Sequence, residues 1–188
     1  KRLAEMLEVA LYMCPRCGRM DTLKSRDDRF DCPCGLKLRY TPYGELVPIN
    51  GCENPFPTIV EWSRWQESEI KKVADNCLAK DVNEPITSNT GQSLWIVEKA
   101  RKSRLVCRGT LSLFKDRLVM QDDFGRRHEF HFADILGMAV YSKMVIIFST
   151  TDQVSYEIKS EIPRSALKYV GLFKRLKEHL NYAGKREE

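Results

Sequence analysis

Four cysteines in two tight pairs, Cys14-Pro-Arg-Cys17-Gly18 and Cys32-Pro-Cys34-Gly35, constrain this chain more than any other feature. In a Cys-x-x-Cys-Gly turn both sulfurs reach one point, and the glycine allows the backbone a positive φ. In Cys32-x-Cys34, residues two apart on extended chain project to the same side. The stretch between the pairs is long enough for a hairpin that returns the second pair to the first. Four thiolates form a closed tetrahedral set for a structural zinc ion, and a catalytic zinc would keep one position open. A redox reading would need a helix opening at the Cys-x-x-Cys and a βαβ context, and the sequence offers neither.

The chain carries seven cysteines, and Cys52, Cys77 and Cys107 stand alone. An odd number with two close pairs does not suit a secreted disulfide framework and suits metal binding in a reducing compartment, so a cytoplasmic location is expected. The three lone thiols read as buried or inert. The longest apolar stretch, Ile135 to Tyr141, falls far short of the roughly 20 residues that span a bilayer. No signal peptide is recognised, and a start at Lys1 suggests a piece of a longer polypeptide.

The periodicity divides the chain into a connector (1–11), a zinc ribbon of short strands and turns (12–55), a helix and linker (56–92) and a β-rich domain (93–188). Strand pairs are expected at Thr22–Ser25 with Arg29–Cys32, and at Leu36–Tyr40 with Glu45–Pro48. Thr58 and Glu61 form a capping box for a helix over 58–79, whose Trp62 and Trp65 need a surface to cover. Asn83-Glu84-Pro85 and Ser88-Asn89-Thr90-Gly91 read as linker. From Ser93 the period becomes two, with strands expected at 93–100, 104–114, 117–122, 126–132, 135–142, 143–150 and 153–159. Pro163 then opens a helix with Ala166, Val170, Phe173, Leu176 and Leu180 on one face. The predicted fold class is α+β, mostly β: a small ribbon plus helix, then a seven-stranded antiparallel barrel plugged by a C-terminal helix.

No active site is legible. His128 and His131 are three apart on a predicted strand and face opposite ways, and His179 lies in a basic helix. Neither a Ser-His-Asp grouping nor a phosphate loop nor His-Glu-x-x-His occurs.

The net charge of +5 is uneven: residues 1–98 sum to −2 and residues 99–188 to +7. Lys99, Arg101, Lys102 and Arg104 crowd the join between the first two strands of the β-rich domain. They read either as a solvated turn or as an anionic lipid-binding site, because loop cations at a barrel mouth converge on phosphate. In the ribbon, four thiolates and Zn²⁺ sum to −2, which turns the +1 of residues 1–58 to about −1 and weighs against nucleic acid.

Two resemblances sharpen these expectations. The strand order of 93–182, with Lys102-Ser103-Arg104 after Lys99, resembles the pleckstrin-homology and GRAM superfold. The whole chain resembles the C-terminal extension of bacterial 1-acyl-glycerol-3-phosphate acyltransferases. Tyr12-Met13-Cys14-Pro15-Arg16-Cys17-Gly18, Phe30-Asp31-Cys32-Pro33-Cys34-Gly35, Tyr40-Thr41-Pro42-Tyr43-Gly44 and Glu61-Trp62-Ser63-Arg64-Trp65-Gln66 carry that likeness. The family's His-x-x-x-x-Asp is absent: five residues after His128 is Ala133, and five after His131 is Leu136. Arg108-Gly109-Thr110 is no substitute for its Glu-Gly-Thr stretch. The resemblance therefore implies a non-catalytic accessory region whose partner is an upstream catalytic domain of the same polypeptide. That domain would make phospholipid precursors, with this region peripheral to the inner face of the cell membrane. The alternative is a zinc-ribbon adaptor that binds protein or nucleic acid.

Overall fold

The computed structural model describes residues 2–49, 51–80, 83–98 and 102–184. The chain divides into two compact units, Lys1–Glu69 with Pro163–Ser165, and Ile70–Ile162 with Ala166–Glu188. The cut at 69/70 falls inside the helix Ile59–Leu78 (α1). No helix among the described residues is long and apolar enough to cross a membrane.

Unit 1 is built on a four-stranded antiparallel meander, β1 (Lys24–Arg26), β2 (Arg29–Asp31), β3 (Lys37–Tyr40) and β4 (Leu46–Pro48), in sequence order. Phe30 and Leu38 pair across β2 and β3 and point into the core, where both are fully buried. Around them pack Leu7, Leu11, Leu23, Leu36, Leu46 and, from α1, Trp62. Residues 1–11, read as a connector, contribute directly to this core. Ala4 and Leu11 are 0% exposed, and a short 3₁₀ turn at Leu7–Val9 lets the segment fold against the sheet. Its apolar spacing is helical, but a segment this short gains its conformation from packing and not from propensity.

The capping box forms as expected. The Glu61 N–H donates to Thr58 Oγ1 at 3.3 Å, and the Thr58 hydroxyl donates to the Glu61 carboxylate at 2.8 Å. The tryptophan face covers the ribbon core: Trp62 lies 5.7 Å from Phe30 and 6.4 Å from Phe56, and Trp65 lies 5.3 Å from Phe56.

Unit 2 holds seven antiparallel strands, β5 (Thr87–Val97), β6 (Ser103–Leu113), β7 (Arg117–Asp122), β8 (Arg127–His131), β9 (Ile135–Ser142), β10 (Val145–Thr150) and β11 (Ser155–Ser160). Their order is β8-β7-β6-β5-β11-β10-β9, so the first strand is central and joins a meander of four to a meander of three. A helix, α2 (Ala166–Gly184), follows and packs on β9 and β10. This is the mostly-β order of seven antiparallel strands followed by a helix that the sequence leads one to expect. The sheet stays open between β8 and β9 and folds over on itself by side-chain contact. Phe130 of β8 meets Phe148 of β10 and Tyr156 of β11 at 5.0 and 4.9 Å. On α2, Ala166, Val170, Phe173 and Leu176 are buried, and Phe173 meets Phe132 edge-on at 5.1 Å. Leu180 is 38% exposed, so the covered face ends before it.

One stretch differs from expectation. Residues 87–92, read as linker, are strand. The register of β5 on β6 shifts between Asn89 and Gln92, and Gly91 takes φ +66° there. A bulge of this kind lets turn-type residues sit inside a strand.

Candidate metal centre

The two cysteine pairs come from two different turns. The first is closed by Gly18 N–H donating to Cys14 O at 2.8 Å and Cys14 N–H to Arg19 O at 3.0 Å, with Gly18 at φ +69°. The second is closed by Gly35 N–H to Cys32 O at 3.0 Å and Cys32 N–H to Leu36 O at 2.9 Å, with Gly35 at φ +97°. Gly35 also faces a steric limit. The Arg16 guanidinium lies 3.2 Å from where a β-carbon would stand, so the cation of the first turn lies over the second.

The four sulfurs of Cys14, Cys17, Cys32 and Cys34 all lie within 4.8 Å of one another. The closest approaches run between the turns, Cys14 to Cys34 at 3.6 Å and Cys17 to Cys32 at 3.8 Å. A tetrahedron with metal–sulfur bonds of about 2.3 Å has edges of about 3.8 Å, so the set is close to the spacing of one four-coordinate ion. Cys14 and Cys32 are buried and the other two half-buried, so the ion would be shielded on one side. The Thr22 hydroxyl oxygen sits 3.2 Å from Cys32 Sγ. With that sulfur as a thiolate, the hydroxyl becomes the donor and orients the ligand. Neither Thr22 nor Arg16 stood out in the sequence, because nothing in the spacing places them beside the sulfurs.

Crowding shapes the acidity of these thiols. Burial pushes Cys14 and Cys34 up. At Cys17 burial also raises the value, but a hydrogen bond from the Arg19 backbone and bonds from the three neighbouring thiols outweigh it and lower it to about 7. A bound cation would favour thiolate at all four.

Helix α1 fixes the chain entering the first turn. Trp62 Nε1 donates to Met13 O at 2.9 Å, Gln66 Nε2 donates to Ala10 O at 2.7 Å, and Gln66 Oε1 accepts from Tyr12 N–H at 3.1 Å. Trp62→Phe keeps most of the apolar volume but orphans the Met13 carbonyl. It is expected to lower the stability of unit 1 by about 1–3 kcal/mol in denaturant melts of the metal-loaded protein. A change under half a kcal/mol would mean the bond does not fasten the turn.

Two of the four loop cations are described. Lys99 and Arg101 lie outside the described residues. Lys102 is exposed, and its carbonyl accepts from Glu98 N–H at 2.7 Å. Arg104 pairs with Glu98 at 3.0 Å. Of the four cations of this loop, the structure describes Lys102 and Arg104. The lone cysteines stay apart from the metal centre: Cys52 donates to Lys37 O at 3.0 Å, and burial raises Cys77 and Cys107.

No family model and no curated protein matches the chain. Among solved structures it is similar to the C-terminal domain of an unknown protein from Leishmania infantum, at 13% identity over 59% of this chain and 97% of that one, with a TM-score of 0.35. It is also similar to the N-terminally truncated linker-DH/PH domains of p115-RhoGEF, at 9% identity over 64% and 43% of the two chains, again with a TM-score of 0.35. At that level of likeness neither neighbour bears on function.

Proposed function

We propose that this chain is a non-catalytic accessory region in which a structural zinc ion holds together a ribbon module that is followed in the chain by a pleckstrin-homology-like module. The region would serve a membrane glycerophospholipid acyltransferase whose catalytic domain lies upstream. The closed set of four thiolates carries the structural half of this reading, because four sulfur ligands leave no position for water or substrate. The acyltransferase half is supported by the motif resemblance in the ribbon and in α1. The cations of the 99–104 loop would orient the region on the anionic inner leaflet.

Two measurements test it. The isolated chain is expected to transfer no acyl group from a thioester donor to lysophosphatidate. Turnover that disappears on mutating a residue of this chain would overturn the accessory role. For the loop, sedimentation with phosphatidylserine-containing vesicles at low salt is expected to weaken severalfold in the Lys99→Ser/Arg101→Ser/Lys102→Ser/Arg104→Ser variant, and in wild type to fade as salt is added. Binding equal to wild type in the variant would make the loop a solvated turn.

A further inference from the structure

Charge in the folded molecule is distributed differently from charge along the chain. In unit 2 much of the positive charge is paired locally. Arg104 meets Glu98, Arg108 meets Glu161, Arg126 meets Asp122, Lys159 meets Glu157, and Arg175 meets Asp75. In unit 1, near neutral by sum, five cations share one face of the sheet. The β1–β2 register sets Arg26 opposite Arg29, and the β2–β3 register sets Arg29 opposite Arg39. One step along, Lys24 and Lys37 flank Asp31. Residues directly opposite share a face, and all five cations are exposed, whereas Phe30 and Leu38 on the other face are buried. Arg39 pairs with Asp28 at 3.4 Å, while Arg26, Arg29, Lys24 and Lys37 form no ion pair among the described residues. Five cations against Asp31 and Asp28 leave +3 on a patch three strands wide.

Neighbouring strands lie only about 4.8 Å apart, so three arginines in one row repel one another. Like charges directly opposite in a sheet are destabilising. An arrangement that costs stability and fills no core points to an anionic partner that offsets the repulsion. We propose that the outer face of β1–β2–β3 is a contact surface for an anionic phospholipid bilayer. This reading does not depend on the identity of any upstream domain. The face has no aromatic residue among its cations on which a base could stack, as single-stranded nucleic acid would use. The arginine row instead continues into Val47, exposed on β4 opposite Arg39. Tyr43, 89% exposed, lies in the β3–β4 turn at the same end of the sheet as the arginine row. Cations beside a small apolar residue and an interfacial tyrosine match the headgroup boundary of a membrane.

The test uses the full metal-loaded chain with phosphatidylcholine vesicles, with and without phosphatidylserine. At low salt, Arg26→Gln/Arg29→Gln/Arg39→Gln is expected to weaken partitioning onto the phosphatidylserine vesicles by roughly 100-fold. It should retain full metal content and melt no lower than wild type, because repulsion has been removed. The triple Arg→Lys variant should bind within a few-fold of wild type, since a leaflet reads charge and not the guanidinium fork. If the glutamine variant loses metal, Lys24→Gln/Lys37→Gln serves in its place, with a loss of about tenfold or more expected. The proposal is overturned if the glutamine variants bind like wild type, or if the Arg→Lys variant loses as much as the glutamine variant. It is also overturned if an oligonucleotide binds through this row more tightly than the vesicles at equal salt. A Lys102→Ser/Arg104→Ser variant separates the two readings, because its behaviour bears on the loop alone.

Discussion

Replacing Cys14 by serine is expected to abolish metal binding and unfold unit 1. Cys14 is 0% exposed, and its sulfur lies 3.6 Å from that of Cys34. In small thiolate modules the free energy of zinc binding is about 10–16 kcal/mol and is largely folding free energy. Unit 1 has little else to fall back on. Its strands are three or four residues long, and its core is a single cluster around Phe30, Leu38 and Trp62. A module this small rarely has core enough to fold without a staple such as a metal ion. The measurements are elemental analysis, with about one zinc per chain expected in the wild type and none in the variant, and the near-ultraviolet circular dichroism of Trp62 and Trp65. A strong chelator should reproduce the loss in the wild type, and acid should promote it, because protons compete for the thiolates. Cys52→Ser is the control. Among the described residues its thiol bonds to Lys37 O and to no sulfur of the centre, so metal content should not change. A Cys14→Ser protein with full metal content and an unchanged tryptophan spectrum would show that Cys14 is no ligand and that unit 1 does not depend on a closed set of four thiolates.

Much of this organisation was legible because it rests on local rules. The Cys-x-x-Cys-Gly and Cys-x-Cys-Gly turns form wherever the glycine can take positive φ, so spacing alone brought the four sulfurs together. The capping box at Thr58 and Glu61 is a contact three residues apart. The strands of unit 2 follow from period-two alternation, and their observed bounds lie within a few residues of expectation except at Thr87. There the alternation is interrupted at Thr90-Gly91, and only the tertiary pairing of β5 with β6 shows that the strand continues through a bulge. The arginine row was hidden for a related reason. Arg26, Arg29 and Arg39 are unremarkable as neighbours in sequence, and they become one row only when two hairpin registers are fixed. Summed charge pointed to the C-terminal half as the basic one, because a sum cannot show which cations have a carboxylate beside them.

Gly109 shows what the sequence left unsaid about packing, and its replacement should have the largest effect of any single change in unit 2. It falls between Cys107 and Leu111 on one face of β6, where alternation alone does not explain a missing side chain. It lies in a strand flanked on both sides, paired with Gln92 of β5 and Asp122 of β7. A β-carbon at this position would meet Gln121 O at 2.0 Å, Asp122 Cα at 2.8 Å and the Gln121 carbonyl carbon at 2.9 Å. All three are backbone atoms, so no side chain can swing aside, and β7 itself would have to move. Moving it would break the β6–β7 ladder beside the buried Leu111, Leu118 and Met120. Gly109→Ala is therefore expected to cost about 3–5 kcal/mol, well above an ordinary strand substitution. That corresponds to a fall in melting temperature of roughly 10–20 °C for a domain of this size. Gly137→Ala supplies the contrast, since a β-carbon there meets nothing within 4 Å. It should be neutral or stabilise by up to about 1 kcal/mol through the unfolded chain. Calorimetry on the two variants separates a steric effect from a general intolerance of alanine in these strands. If Gly109→Ala melts within a degree or two of Gly137→Ala, the close approach of β6 to β7 is not a feature of the folded protein.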